Sequence, residues 1–403
     1  MNLINKLELD KILHKKHLEK YSDEVFNEIL NIIKNGLENK IKELKNKERV
    51  NKNDDNKPKI KAIECLNKRE IEILPKWVKN DIDKAVIIGK SKQVIQLENG
   101  KKYHLKNKLN DLSGAEWNYF LNSVLCTRYK TSGKDSYAHE IRKEHPSPKP
   151  PQLMRDIISF FTKENELVFD YFAGVGGTLL GSSLCNRKAI GFDLSDRYKD
   201  IYMKANKSLD LKEQKFICGD SLELLKNNNL MQNLFKNELA SLILIDPPYG
   251  DMLSRPKTGE SLRQKKDTSP TPFTNLKNDL GNMNWQEFLE KFKQIVEYSI
   301  KYLKKGGHLI VFIKDLQPKG DKDNLLHADI IKTLNTINGL NYVGNKIWAD
   351  LSVNLYPYGY PFSFVANQIH QFILIFKKSR FFFYVSCLLI KCFAILLRMK
   401  NEN

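Results

Sequence analysis

From about residue 139 onward, short apolar runs alternate with stretches of helical texture, and that alternation leaves few folds open. The runs Leu167–Phe169, Ala189–Phe192, Lys215–Cys218, Leu242–Ile245, His308–Ile313, Tyr342–Trp348 and Phe372–Phe376 read as strands. The expected class is therefore α/β, a mostly parallel, doubly wound sheet. A chain of 403 residues has room for one such domain plus accessory elements.

The N-terminal third has a different texture. Val25, Ile29, Ile32, Ile33, Leu37, Ile41 and Leu44 recur at helical spacing, and the polar run Asn51 to Pro58 then breaks the pattern. Ala85–Ile88, Val94–Leu97 and Lys102–Leu105 resemble short strands, with Asn99-Gly100 as a hairpin-turn signal. The expected organisation is an α+β accessory element over 1–110 (helical, then a small β hairpin), the sheet domain over 111–378, and an apolar tail over 379–403. In that tail Phe381 to Leu397 is almost continuously apolar around Lys391. The run is shorter than the ~20 residues of a spanning helix, and a central lysine would cost ~3 kcal/mol on insertion. It reads as a helix docking on a membrane or a protein partner, as a packed terminal helix, or as a stretch foreign to the fold.

Six cysteines are scattered without a C-x-x-C pair or a neighbouring His cluster, which argues against a zinc site and a disulfide scaffold. The first ten residues contain acids and no continuous apolar core, which excludes an ordinary secretory signal, and together these features predict a reducing, cytoplasmic setting. The formal net charge of +18 draws polyanions and favours phosphate contacts. Nucleic acid is the first partner to consider and an anionic membrane surface the second; a solvated Lys-rich surface is the functionless alternative.

Two segments carry chemistry. The first, Asp170-Tyr171-Phe172-Ala173-Gly174-Val175-Gly176-Gly177-Thr178, is a Gly-rich turn from a strand into a helical run. Such a turn lets a ligand approach the backbone and presents free amides at the helix start. Asp193 ends the next strand, where an acid can accept both ribose hydroxyls. Asp220 follows the third strand, where it could face an adenine amino group or simply cap a helix. The second segment is Asp246-Pro247-Pro248-Tyr249-Gly250, at the C-terminal end of the fourth strand, the edge where open α/β sheets bind ligands. The prolines stiffen the turn. They leave the Asp246 carboxylate and the Pro247 carbonyl as two acceptors for one amino group, with Tyr249 as an aromatic face for an extruded base.

This combination resembles the DNA amino-methyltransferases that modify adenine N6 or cytosine N4. Their motif I is typically D-P-F-x-G-x-G, here with Tyr171 in place of the proline, and their motif IV is (D/N/S)-P-P-(Y/F). His145-Pro146-Ser147-Pro148-Lys149-Pro150 looks like their motif X. The resemblance covers about residues 139–378 and implies the Rossmann-like methyltransferase sheet, seven-stranded with the last strand antiparallel. It implies S-adenosyl-L-methionine as cofactor, with Lys149 of motif X on its methionine part. Asp170, Phe172, Gly174 and Gly176 would line it, Asp193 would bind its ribose and Asp220 would face its adenine. Asp246, Pro247, Pro248 and Tyr249 would hold the target base. No metal is required, because a sulfonium donor is already activated.

The partner so implied is double-stranded DNA, with adenine N6 preferred to cytosine N4 because Asp opens motif IV, and such enzymes can have a cognate restriction endonuclease as companion. RNA is the nearest rival, since enzymes methylating guanine N2 in tRNA also carry D-P-P-Y-G. A protein-glutamine methyltransferase would favour Asn at 246, and a non-catalytic nucleic-acid-binding relative is the reading from another class. Too few residues separate Asp220 from Asp246 for a target-recognition domain. Sequence reading is therefore expected from the N-terminal element, the loop from Asp251 to about Met283, or the segments Asp315–Leu325 and Leu355–His370. The first loop, with Arg255, Lys257, Arg263, Lys265 and Lys266, has the composition of a phosphate-touching flap or of a solvated charged loop.

Overall fold

The computed structural model describes residues 60–251, 269, 272–316 and 325–379. The helical pattern expected before residue 48, the linker after it, the five cations of the basic loop and the apolar run 381–397 lie outside the described residues. Among the described residues, no helix is long and apolar enough to cross a membrane.

The first sheet is small and antiparallel, formed by β1 (Ile60–Lys61), β2 (Val86–Ile88), β3 (Val94–Gln96) and β4 (Lys102–His104) in that order. Its own apolar cluster holds Ala62, Leu74, Val78, Ile95 and Tyr103. Strands β3 and β4 are joined through the expected turn: Gly100 takes φ +80 and the Leu97 amide donates to the Lys101 carbonyl at 2.9 Å. The Trp77 indole donates to the Asp111 carbonyl at 2.7 Å, tying this unit to the segment that leads into the second sheet.

The second sheet comprises β5 (Val124–Thr127), β6 (Leu167–Asp170), β7 (Lys188–Asp193), β8 (Lys215–Cys218), β9 (Ala240–Ile245), β10 (Leu303–Ile313), β11 (Leu340–Asp350) and β12 (His370–Lys378). Its order is β5-β11-β12-β10-β9-β6-β7-β8. Strand β12 runs antiparallel to both neighbours, and the other pairings are parallel. All seven expected strands are present, and the last is the antiparallel one, as in a Rossmann-like methyltransferase sheet. The expectation of seven strands needs correction to eight. The addition, β5, is a four-residue edge strand of alternating exposed and half-buried positions. Its apolar residues are only the three of Val124–Cys126, and β11 holds the strand and the residues before it through long side chains. Trp348 donates to Thr127 Oγ1 at 2.8 Å, and the Lys346 ammonium caps the carbonyls of Phe120 and Asn122.

Period-two alternation divides the strand residues between two helical layers. Val168, Leu242, Leu244, Ile310 and Phe312 face α1 (Pro151–Phe161), α2 (Gly177–Leu184) and α3 (Asp196–Ser208). Phe169, Ile243, Ile245, Val311 and Ile313 face α4 (Ser221–Lys226), α5 (Asn228–Phe235), α6 (Trp285–Ser299) and α7 (Leu326–Leu334). Local chemistry sets where these helices start. Pro151 opens α1, where the missing N–H costs nothing, and Asn284 caps α6 by accepting from the Glu287 amide at 3.0 Å.

Gly181, inside α2, is where that helix meets α1. A Cβ there would lie 2.8 Å from Met154 Cβ and 2.9 Å from the Arg155 amide nitrogen. Gly181→Val should therefore force the helices apart and lose ~1–3 kcal/mol of stability, as overpacking typically does. Denaturant unfolding would measure it, and unchanged stability would mean that the α1–α2 contact yields freely.

Candidate active site

Strands β6 and β9 are adjacent and parallel, with Val168 opposite Leu242 and Phe169 opposite Ile243. Asp170, which ends β6, and Asp246, which comes directly after β9, therefore leave the sheet side by side at its C-terminal edge. A cavity opens there, and its wall includes Lys149, Asp170, Phe172, Gly174, Asp193, Asp220, Asp246, Pro247, Pro248 and Tyr249. These expected residues come from widely separated stretches of chain and meet at one edge.

Gly176 is the exception. It does not line the cavity; Gly177 does. At φ +74 its missing side chain faces Tyr202 of α3, where a Cβ would stand 2.2 Å from the ring. Its work is to let the turn close over α3. Gly174, at φ +50, sits against His145, whose Nε2 would be 3.3 Å from an added Cβ.

The carboxylates are held by the turns they terminate. Asp170 is 3% exposed and accepts from the Phe172 amide at 2.9 Å. Burial pushes its carboxyl up to about 7, and the neighbouring charges of Asp246 and Asp193 add to the shift. Asp193 accepts from the Gly174 amide at 2.8 Å and from the Ser195 amide at 2.9 Å, and burial raises it to about 6. Asp220 acts as the N-cap of α4, accepting from the Leu222 amide at 2.8 Å, while its other oxygen takes the Asn278 side-chain amide at 2.8 Å. It lines the cavity and caps a helix at once.

Asp246 is flanked by two donors. Tyr249 gives its hydroxyl to Oδ1 at 3.0 Å, and Lys149 forms an ion pair with Oδ2. Burial and the adjacent Asp246 charge raise the Tyr249 hydroxyl well above its ordinary value, so it stays a donor. The Lys149 ammonium is also 5.3 Å from the centre of the Phe312 ring. Motif X thus reaches across to motif IV, a contact that sequence spacing does not announce.

Other wall residues were not among those expected at the site. Arg142 is 1% exposed and spans motifs X and I, donating to the Lys149 carbonyl at 2.5 Å and the Val175 carbonyl at 3.3 Å. His145 lies against Tyr198 and stacks on Phe273 at 5.1 Å; burial, then Lys149 and Arg142, hold its imidazole down at about 3, neutral at physiological pH. Phe273, Asn278 and Asp279 come from the last part of the loop that begins at Asp251, so that part of the loop closes the cavity wall. His145 opens the motif X segment but no role was expected of it; the others lie outside every local motif and are brought in by tertiary packing. Tyr171, the departure from motif I, is fully buried among the helices of one layer, with Ser299 donating to its hydroxyl at 3.2 Å. The position serves packing, which explains why a proline is dispensable there.

The wall suits a ligand that is cationic at one end and aromatic at the other. Among the described residues, no cationic side chain is bonded to the buried carboxylates of Asp170 and Asp193, and Phe172, Pro148, Leu280 and Ile295 offer apolar contact.

Known proteins share parts of this chain. A family model described as DNA methylase matches residues 6–204, a match that ends before Asp246. The orphan methyltransferase M.BamHII of Bacillus amyloliquefaciens is 32% identical over 111 residues, 26% of this chain and 42% of its own length. A tRNA (guanine(10)-N2)-dimethyltransferase of Methanocaldococcus jannaschii is 29% identical over 147 residues, 35% of this chain and 40% of its own. The chain thus spans about two-fifths of the length of these curated relatives. Among solved structures, TrmN from Thermus thermophilus overlays with a TM-score of 0.39 at 12% identity, covering 61% of this chain and 54% of that one.

The two turn glycines should respond differently to substitution. Gly176→Ala combines a left-handed backbone with a clash against Tyr202 and should cost ~1–3 kcal/mol of stability. Gly174→Ala, with looser surroundings, should cost less. Unfolding curves of both variants test this ranking, and the reverse order would refute the packing role of Gly176.

Proposed function

We propose that this chain, whose residues 6–204 belong to the DNA methylase family, transfers the methyl group of S-adenosylmethionine to the exocyclic amino group of a DNA base, adenine N6 before cytosine N4. The observation that carries the proposal is the convergence of Asp246 with the buried carboxylates of the Gly-rich turn in one cavity at the sheet edge.

S-adenosylmethionine supplies a methyl group already activated on a sulfonium. Asp170, Phe172 and Gly174 would hold it, with Asp193 at the ribose and Asp220 towards the adenine, and the carboxylates match its cationic part. Asp246 and the Pro247 carbonyl act on the substrate. Each carboxylate oxygen can accept two hydrogen bonds, so Asp246 keeps capacity for an N–H while Tyr249 and Lys149 fix its orientation. Two acceptors on one amino group turn its lone pair towards the donor. The proton leaves once nitrogen has gained the methyl group, and the nearby carboxylate can take it. The target base must leave its stack to reach this edge, and Tyr249 and Pro248 form the wall it meets.

A purified sample incubated with labelled S-adenosylmethionine and separate DNA and RNA pools, then digested to nucleosides for mass spectrometry, tests polymer and atom together. N6-methyladenine in DNA is the expected product. N4-methylcytosine would correct the base alone. Transfer confined to RNA, the polymer acted on by the Methanocaldococcus relative, would overturn the DNA assignment.

The geometry carries two further expectations. Asp246→Ala should lower kcat by ~10²–10⁴-fold while S-adenosylmethionine affinity changes little, the split expected of a group acting on the substrate. Full activity in that variant would rule out the mechanism. The affinity should also depend on pH. Asp170 is protonated below about 7 and cannot then pair with a cation. Affinity should therefore fall by up to ~10-fold per pH unit on acidification below that point, and level off above it. Isothermal titration across the neutral range measures this, and a flat profile would show that Asp170 does not hold the cationic part.

A further inference from the structure

Phe362 and Phe364 are 93% and 92% exposed, the most exposed of the large apolar side chains among the described residues. They sit in the 351–369 connection between β11 and β12, which contains five aromatic residues and no charged one in a chain that is 28% charged. The exposure is built in. Asn367 clamps the base of the loop, accepting from the Tyr356 amide at 2.9 Å and donating to the Tyr356 carbonyl at 2.7 Å. The amides of Phe362 and Ser363 both donate to the Gly359 carbonyl, at 2.7 and 2.8 Å, closing a tight turn at the two rings. Gly359 takes φ +74, and a Cβ there would meet the Ser363 carbonyl at 2.3 Å.

The strand register sets where this loop emerges. Strand β12 runs antiparallel to β10 with Phe372 opposite Ile313, and β10 runs parallel to β9 with Val311 opposite Ile245. The start of β12 therefore lies at the same sheet edge as Asp246. Tyr249, whose hydroxyl bonds Asp246, reaches Gln371 at 3.5 Å. An uncharged aromatic tip beside this site is suited to stacking on bases rather than to touching phosphates, for which the net charge of +18 provides elsewhere.

Resting on the methyl-transfer reading above, we propose that Phe362 and Phe364 form a wedge that enters the nucleic-acid stack as the target base leaves it. Apolar side chains inserted at a base step hold neighbouring bases apart and fill the vacated space. The wedge thus lowers the cost of extruding a paired base and matters little for a base that is already unpaired.

The test uses the full chain and a duplex carrying its recognition sequence, read by sequencing methylated genomic DNA. One duplex has the target base correctly paired and a second has it mispaired. The double variant F362A/F364A should lose about tenfold or more in kcat/KM on the paired duplex and less than about threefold on the mispaired one. F362W/F364W should stay near the wild type on both, since tryptophan also stacks. Equal losses on the two duplexes, or no loss on the paired one, would overturn the wedge while leaving the methyltransferase reading intact. So would binding to vesicles containing anionic lipid that disappears in F362A/F364A while methylation of the paired duplex is unchanged; that result would assign the loop to a membrane. Failure of the wild type to methylate any DNA is a separate measurement, and it would remove the parent reading and this one with it.

Discussion

The site depends on one pairing: β6 beside β9, parallel and in register. The two strands are more than seventy residues apart in the chain, yet Phe169 lies opposite Ile243, so both strands end at one level. The residues at the two strand ends then share one cavity. The chemistry of the site sits on that coincidence of strand ends, and it is secured by side chains turned away from the cavity. Phe169 and Ile243 are completely buried in one helical layer, while Val168 and Leu242 are buried in the other. A register slip by one residue would exchange these faces and bury the wrong side of each strand, which makes the alignment strongly specified.

The cavity then has to hold like charges together. Asp193 and Asp246 lie close enough to Asp170 for their charges to raise its proton affinity, on top of burial. The chain offsets this in two ways. Backbone amides at Phe172, Gly174 and Ser195 bond the carboxylates of Asp170 and Asp193. Lys149 pairs with Asp246, and Arg142 fixes the segment carrying Lys149 by holding its carbonyl. A buried charge stripped of its partner is strongly destabilising, so this support is needed before any ligand arrives. A cationic ligand at Asp170 would relieve the remaining repulsion, and the unliganded site already favours the charge of the cofactor.

Much of this was legible in the sequence, and for identifiable reasons. Central strands were visible because burial on both faces demands apolar runs, such as Leu242–Ile245, in which every residue is buried. The edge strand β5 was not visible, because Val124–Thr127 is half exposed and has only a local, weak pattern. Most of the residues expected at the site line one cavity, because glycines, prolines and acids at strand ends are constrained by backbone geometry that sequence spacing records. Gly176 was expected to contact the ligand and instead clears Tyr202, since a left-handed glycine looks the same in sequence whether it makes room for a ligand or for a ring. Arg142 and the Lys149–Asp246 pair were hidden for the opposite reason: they arise from long-range packing, with the ion-pair partners 97 residues apart.

The division between rigid and variable parts has the same physical origin. Motif I tolerates Tyr171 because that side chain points into the helical layer, where the Ser299 hydroxyl bonds it, so packing absorbs the departure from the usual proline. Asp246 is held differently, by side-chain contacts: its two oxygens each meet a dedicated donor. Segments whose side chains do not support the sheet can vary without disturbing the strand ends. The 351–369 connection meets that condition: its two most prominent rings contribute almost nothing to the core, yet its root at Gln371 touches the tyrosine that orients Asp246. A loop of this kind can change its sequence while the register of β6 and β9 keeps the strand ends in place.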